Sequence, residues 1–200
     1  MTGPHLSGGP RASIRVRAAL AGGLVLGLAS GLTVASWTDA ESVGSTFTAS
    51  SFNLQTSVQG GTYSGATSVT GTVAGLYPGS LAYISLKVKT AAVSAAGTVS
   101  LSATANATGL DAVLRYRIVR SLAACTATVF TGSPVYVVGG ASTYQAVSSA
   151  LAATPGIVVA ANASTEVGYC IELGMPTGAD QTTYQGASGV PTWNIIGTSS

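Results

Sequence analysis

From residue 45 onward the chain is written in short runs of alternating apolar and polar residues, interrupted by glycine- and proline-bearing turns. A period of two sends successive side chains to opposite faces, so each run suits a strand with one face on a core and one in water. The cleanest run is Leu81 to Thr90, where Ile84, Leu86 and Val88 face one way and Ser85, Lys87 and Lys89 the other. Comparable patterns predict strands over 45–57, 68–74, 97–106, 113–119, 166–173 and 192–198. Shorter β-prone runs at 126–130, 135–138 and 157–161 add further strands. Pro78-Gly79 and Gly132-Ser133-Pro134 mark turns. Residues 143–153 break the pattern. They lack glycine and proline, and Ala146, Val147, Ala150 and Leu151 recur at helical spacing, which predicts a short helix ended by Pro155-Gly156. Residues 174–190 read as a loop. So many short strands predict an all-β fold, a single antiparallel β-sandwich; the residues alone leave jelly-roll and immunoglobulin-like topologies open.

The first 35 residues obey different rules. Arg11, Arg15 and Arg17 precede a charge-free apolar run from Ala18 to Val34, and Thr33-Val34-Ala35 puts small residues at the two positions a signal peptidase reads. This predicts a signal helix over 1–35, cut between Ala35 and Ser36, and an exported sandwich over 36–200. An uncleaved leader is the alternative and would be the chain's contact with a membrane. No later run approaches the roughly 20 apolar residues of a membrane span.

Removing the leader also changes the charge. The whole chain carries +2, but past Ala35 only Lys87, Lys89, Arg115, Arg117 and Arg120 face six acids. A slightly acidic remainder gives no electrostatic case for nucleic acid. With only 7% charged residues in the chain, surfaces repel one another weakly and tend to associate. Cys125 and Cys170 are the only cysteines. In an exported chain an even pair reads as a disulfide, with two buried free thiols as the alternative. The bond would close a loop of about 46 residues, worth roughly 4 kcal/mol in the chain-entropy picture. Alternation places Cys170 on the polar face of its strand with Glu166 and Glu172, so the bridge is expected to clip a surface loop rather than join two sheets.

Three stretches carry a resemblance to a known family: Trp37-Thr38-Asp39 after the cleavage site, Thr46-Phe47-Thr48-Ala49-Ser50-Ser51-Phe52-Asn53-Leu54, and Gly75-Leu76-Tyr77-Pro78-Gly79-Ser80. Across residues 18 to about 90 the chain resembles the TasA/camelysin family of exported proteins, and beyond that its two-cysteine actinobacterial relatives. The resemblance implies processing by a SipW-type signal peptidase, a jelly-roll-like sandwich, and a structural role in cell-surface or biofilm-matrix fibres. Members of the TasA group are thought to build fibres by strand exchange. Here the expected exchange strand carries Phe47, Phe52 and Leu54, with no charge after Glu41 to discourage edge pairing. Pairing of that strand within its own subunit is the alternative.

Chemistry narrows the function classes. His5 is the only histidine and lies in the leader, so residues 36–200 hold none for a Ser-His-Asp triad, a Cys-His dyad or a His-Glu-x-x-His zinc helix. The metallopeptidase activity attributed to camelysin-like relatives therefore does not transfer. The acids are Asp39, Glu41, Asp111, Glu166, Glu172 and Asp180, read as solvated surface groups. Glu166 and Glu172 share a face but stand about 20 Å apart at ~3.3 Å per residue, too far for a glycosidase pair at roughly 5–9.5 Å. Arg115 and Arg117, like Lys87 and Lys89, read as the wet face of a strand or as charges guarding an edge. Trp193, beside Ile195, reads as core rather than a sugar platform. The expectation is a non-enzymatic, cofactor-free homo-oligomer of the cell wall or extracellular matrix. A monomeric ligand-binding or adhesin module is the alternative.

Overall fold

The computed structural model describes residues 51–72 and 75–200. The expected signal helix, the Ala35–Ser36 cleavage site, Phe47 and the strand start at residue 45 lie outside these. The described chain forms β1 (Leu54–Val58), β2 (Ser68–Thr70), β3 (Leu81–Thr90), β4 (Gly97–Ala103), β5 (Arg115–Arg120), β6 (Tyr136–Val138), β7 (Gln145–Ala146), β8 (Ile157–Val159), β9 (Glu166–Gly174) and β10 (Thr192–Ser199). They make two antiparallel sheets. Sheet A runs β1-β3-β9-β5-β6, with β7 also on β5; sheet B runs β2-β10-β4-β8. The fold is an all-β sandwich.

The alternation explains the core. Ile84, Leu86 and Val88 of β3, Tyr169, Ile171 and Leu173 of β9, and Tyr116 and Ile118 of β5 all turn inward. Sheet B answers with Val69, Val99, Leu101, Val159, Trp193 and Ile195. Trp193 meets Tyr116 edge-on, with ring centroids 5.4 Å apart, a favourable aromatic geometry that ties the sheets together. Trp193 is thus core, as its neighbour Ile195 suggested.

Two segments differ from their predicted form. Residues 143–153 are not a helix. Gln145 and Ala146 pair with β5, and the Val147 N–H donates to the Leu114 carbonyl at 3.0 Å. Leu151 then exchanges bonds with Ala103 on sheet B, at 2.9 and 3.2 Å. The segment gives its backbone groups to both sheets, and tertiary pairing outweighs a short helix that would be marginal in isolation. Residues 126–130 form no strand either. Ala127–Phe130 is a 3-10 turn that drops Phe130 onto the outside of sheet A. Within the 174–190 loop a one-turn helix, α1 (Gln181–Tyr184), is capped by Asp180, whose carboxylate accepts from the Thr182 N–H at 2.9 Å. The same loop bonds, with the Thr182 and Thr183 hydroxyls, hold that carboxyl down at about 2.

Candidate functional site

Chemistry-bearing side chains collect on the outer face of sheet A. Pairing of β3, β9 and β5 sets them in rungs: Leu81, Gly174 and Arg115; then Tyr83, Glu172 and Arg117; then Ser85, Cys170 and Val119. Beyond these, Lys87 lies beside Gly168 and Lys89 beside Glu166.

The second rung is a closed ion pair. Arg117 Nε meets Glu172 Oε1 at 2.7 Å and Nη2 meets Oε2 at 3.1 Å, a two-point contact. Arg117 Nη1 also donates to the Ala141 carbonyl at 2.6 Å, and the Tyr144 hydroxyl donates to Glu172 Oε1 at 2.7 Å. Three rings surround the guanidinium, with Phe130, Tyr144 and Tyr136 centroids at 4.8, 4.9 and 5.9 Å. Glu172 is only 1% exposed. Glu172 is therefore no solvated surface acid, and Arg117 is neither a wet-face charge nor an edge guard, because β5 lies between β9 and β6. Burial works against the Arg117 charge, but the hydrogen bond and charge of Glu172 outweigh it and hold the guanidinium above its usual range. Burial, followed by the bond to Glu172, pushes the Tyr144 phenol up to about 12. Oε1 accepts two hydrogen bonds and Oε2 one, and burial closes the carboxylate off from a substrate. Parity placed Arg117 and Glu172 on outward faces, but nothing local in the sequence set their register or revealed Tyr136 and Tyr144 above them.

The cover over this pair is the 121–146 crossover. The Cys125–Cys170 disulfide fastens it, with Cα atoms 5.2 Å apart. Cys170 occupies the outer face, as alternation required, and the bridge does not join the two sheets. The face is not wet, however: Cys170 is fully buried beside Val119 and Phe130 in a small second core. Gly168 makes room for the crossover, since a Cβ there would lie 2.1 Å from the Ser121 carbonyl oxygen.

The other described acids, Glu166, Asp111 and Asp180, are engaged within the fold. Glu166 pairs with Lys87 at 3.4 Å and accepts from the Tyr63 hydroxyl, while Lys89 lies 4.0 Å above the Tyr63 ring. The Tyr63 bond, opposed by burial and aided by Lys87, keeps the Glu166 carboxyl low. Asp111 is buried, contrary to its reading as a solvated acid. Its Oδ2 takes hydrogen bonds from Asn106 Nδ2 at 2.6 Å and the Val190 N–H at 3.0 Å. Burial raises its carboxyl, partly offset by the Val190 N–H. Among the described residues no three His, Cys, Asp or Glu side chains converge as metal ligands, and no helix is long and apolar enough to cross a membrane.

Sheet B's outer face contrasts with this. Its rungs are Thr70 and Thr192; Ser68, Asn194 and Ser102; Ile196 and Ser100; Thr198, Thr98 and Val158. None carries a charge, and Val158 is 70% exposed. Where the two sheets part, a cleft of about 500 Å³ opens between β1 and β10, walled by Phe52, Leu54, Ala66, Thr67, Ile195 and Gly197. Phe52 reaches into the fold there, against Gly97 and Gly197, and Leu54 pairs with Thr90 of the same chain. β1 is a sheet edge: beyond the Thr56–Ser64 bridge, no described residue pairs with its outer side at Leu54.

No family model matches this chain, and no curated protein matches it.

Proposed function

We propose that the protein is a secreted structural component of the cell surface or biofilm matrix, without enzymatic activity, that self-assembles into fibres through its N-terminal strand. The observation that carries this reading is the open seam beside β1. An edge strand whose outer side is open at its Leu54 end, beside a cleft lined by both apolar and polar side chains, can accept an extended segment from another chain. The residues just upstream of Ser51 are β-prone and uncharged from Ser42 onward. Phe52 and Leu54 are engaged in their own subunit, so the exchanged segment on this reading is Ser36 to Ser50, and Phe47 its anchor. A head-to-tail contact that does not close propagates as a filament. The disulfide suits an oxidising, extracellular setting. The sandwich on this reading is jelly-roll-like, and the leader is removed at Ala35. The test compares the 36–200 chain with one lacking Ser36 to Ser50 by negative-stain microscopy. Filaments from the longer chain alone are expected. Filaments from both, or a longer chain that stays monomeric at high concentration, contradict the mechanism.

A further inference from the structure

The 121–146 crossover that seals Arg117 stops short of the neighbouring rung of Leu81, Gly174 and Arg115. A cavity of about 290 Å³ lies there, bordered by Leu81, Arg115, Tyr144, Gly174, Met175 and Pro176. We propose that this cleft binds a small apolar monocarboxylate, its anion paired with Arg115 and its body lying against Leu81, Met175 and Pro176. This site is separate from the β1 seam and stands or falls independently of fibre assembly.

Four observations converge on that ligand chemistry. First, Arg115 is exposed and has no ion-pair partner among the described residues, whereas Arg117, two positions on, is fully used by Glu172. A guanidinium offers a planar pair of N–H donors that fits a carboxylate in two-point contact. Second, no acid borders the cleft; Glu172 is close in sequence but already neutralised, so the local field is positive. Third, apart from the Thr177 hydroxyl, several polar groups of the rim are already committed. The Gly79 N–H donates to the Met175 carbonyl at 2.9 Å, the Met175 N–H to the Ser80 carbonyl at 3.2 Å, and the Tyr144 hydroxyl to Glu172. What remains to be matched is one charge, at Arg115, with the Thr177 hydroxyl as a neutral donor or acceptor beside it, on an otherwise apolar body. Fourth, Gly174 has no left-handed backbone to justify a glycine. What it supplies is room: a Cβ there would come within 2.7 Å of Leu81 Cδ2. Leu81 leans over this floor yet stays 47% exposed, an apolar surface awaiting cover. The volume lies at the small end of ligand pockets, which run from roughly 300 to 1,000 Å³, so the ligand is compact.

The experiment titrates the purified protein with 3-phenylpropionate, followed by calorimetry and by amide NMR shifts of Gly174 and Met175. Parallel arms use 3-phenylpropionamide, which lacks the charge, and acetate, which lacks the apolar body. R115Q and R120Q remove the same charge at opposite ends of β5. Saturable binding of 3-phenylpropionate to the unaltered protein and to R120Q is expected, weaker by about tenfold or more for the amide, for acetate and for R115Q. No saturation up to about 10 mM overturns the proposal. So does R115Q binding as well as the unaltered protein, R120Q losing affinity equally, or the amide binding as tightly as the acid.

Discussion

The outer faces of the two sheets solve the same problem in opposite ways. Sheet A carries arginine, glutamate, tyrosine and cysteine on its outside, and over the Arg117–Glu172 and Cys170 rungs the chain buries that chemistry under a disulfide-fastened crossover, leaving Arg115 exposed beyond it. Sheet B carries serine, threonine and asparagine, and the chain leaves it bare. A charge on a sheet must be solvated or fully paired, and once covered it must be paired within the chain. A hydroxyl is satisfied by water or by a neighbour at little cost, so a neutral face can stay open. The lesson is that the most reactive side chains of this fold are the ones it closes over, and the face it leaves open is the neutral one.

Breaking the closed face should have the largest effect. Glu172→Ala leaves Arg117 buried among three rings without its counter-ion and should lower stability by about 3–5 kcal/mol, read as a shifted denaturant midpoint. The paired replacement Arg117→Leu with Glu172→Met should recover most of that loss; a double variant as unstable as the single one would show that the crossover needs the charges themselves. Releasing the cover comes next. Replacing both cysteines with alanine, or reducing the bond, should cost roughly 2–4 kcal/mol, and proteolysis should then cut first within 121–146.

Asp111, buried away from both outer faces, serves as a contrast in sign. Its folded-state carboxyl titrates above the ordinary 3.8. The folded state therefore holds its proton more tightly, and its contribution to stability is full below that value and declines as pH rises through the raised folded one. Asp180 has the opposite sign: held at about 2, it contributes above 3.8 and is lost as pH falls toward 2. Denaturant midpoints across acid pH should show the Asp111 decline disappear in Asp111→Asn; an unchanged profile would mean that this carboxyl is not the source. The smallest stability effect belongs to the open face. Val158→Lys and Ile196→Lys should change unfolding free energy by no more than about 0.5 kcal/mol and leave the particle mass by light scattering unchanged, since the proposed exchange runs through the β1 seam; a fall in mass would point to sheet B's face instead.

Much of this contrast was readable in the alternation. The run from Leu81 to Thr90 became a strand with those limits, and the parity of 166–173 put Cys170 and Glu172 together on the outside. Period two reports which way a side chain points, however, not what later covers it. Glu172 therefore read as solvated, because its cover comes from residues far away in sequence, at Phe130, Tyr136 and Tyr144. The helix expected over 143–153 failed for a related reason. Alanine spacing is a local signal, and the bonds that decided the segment run to Leu114 and Ala103. The Arg115 cleft had no sequence signal beyond a glycine in a strand, which gained meaning only when Leu81 and Arg115 were set beside it.

The most direct test of the account is the mass of the 36–200 chain by light scattering at low and high salt, with and without Ser36 to Ser50. Between about 0.01 and 1 M salt the screening length falls from roughly 30 to 3 Å, which would weaken an assembly held by exposed charges. The account predicts large particles from the 36–200 chain, undiminished at high salt, and monomer from the shortened one. Particles that dissolve as salt rises, or that form equally without Ser36 to Ser50, would contradict it.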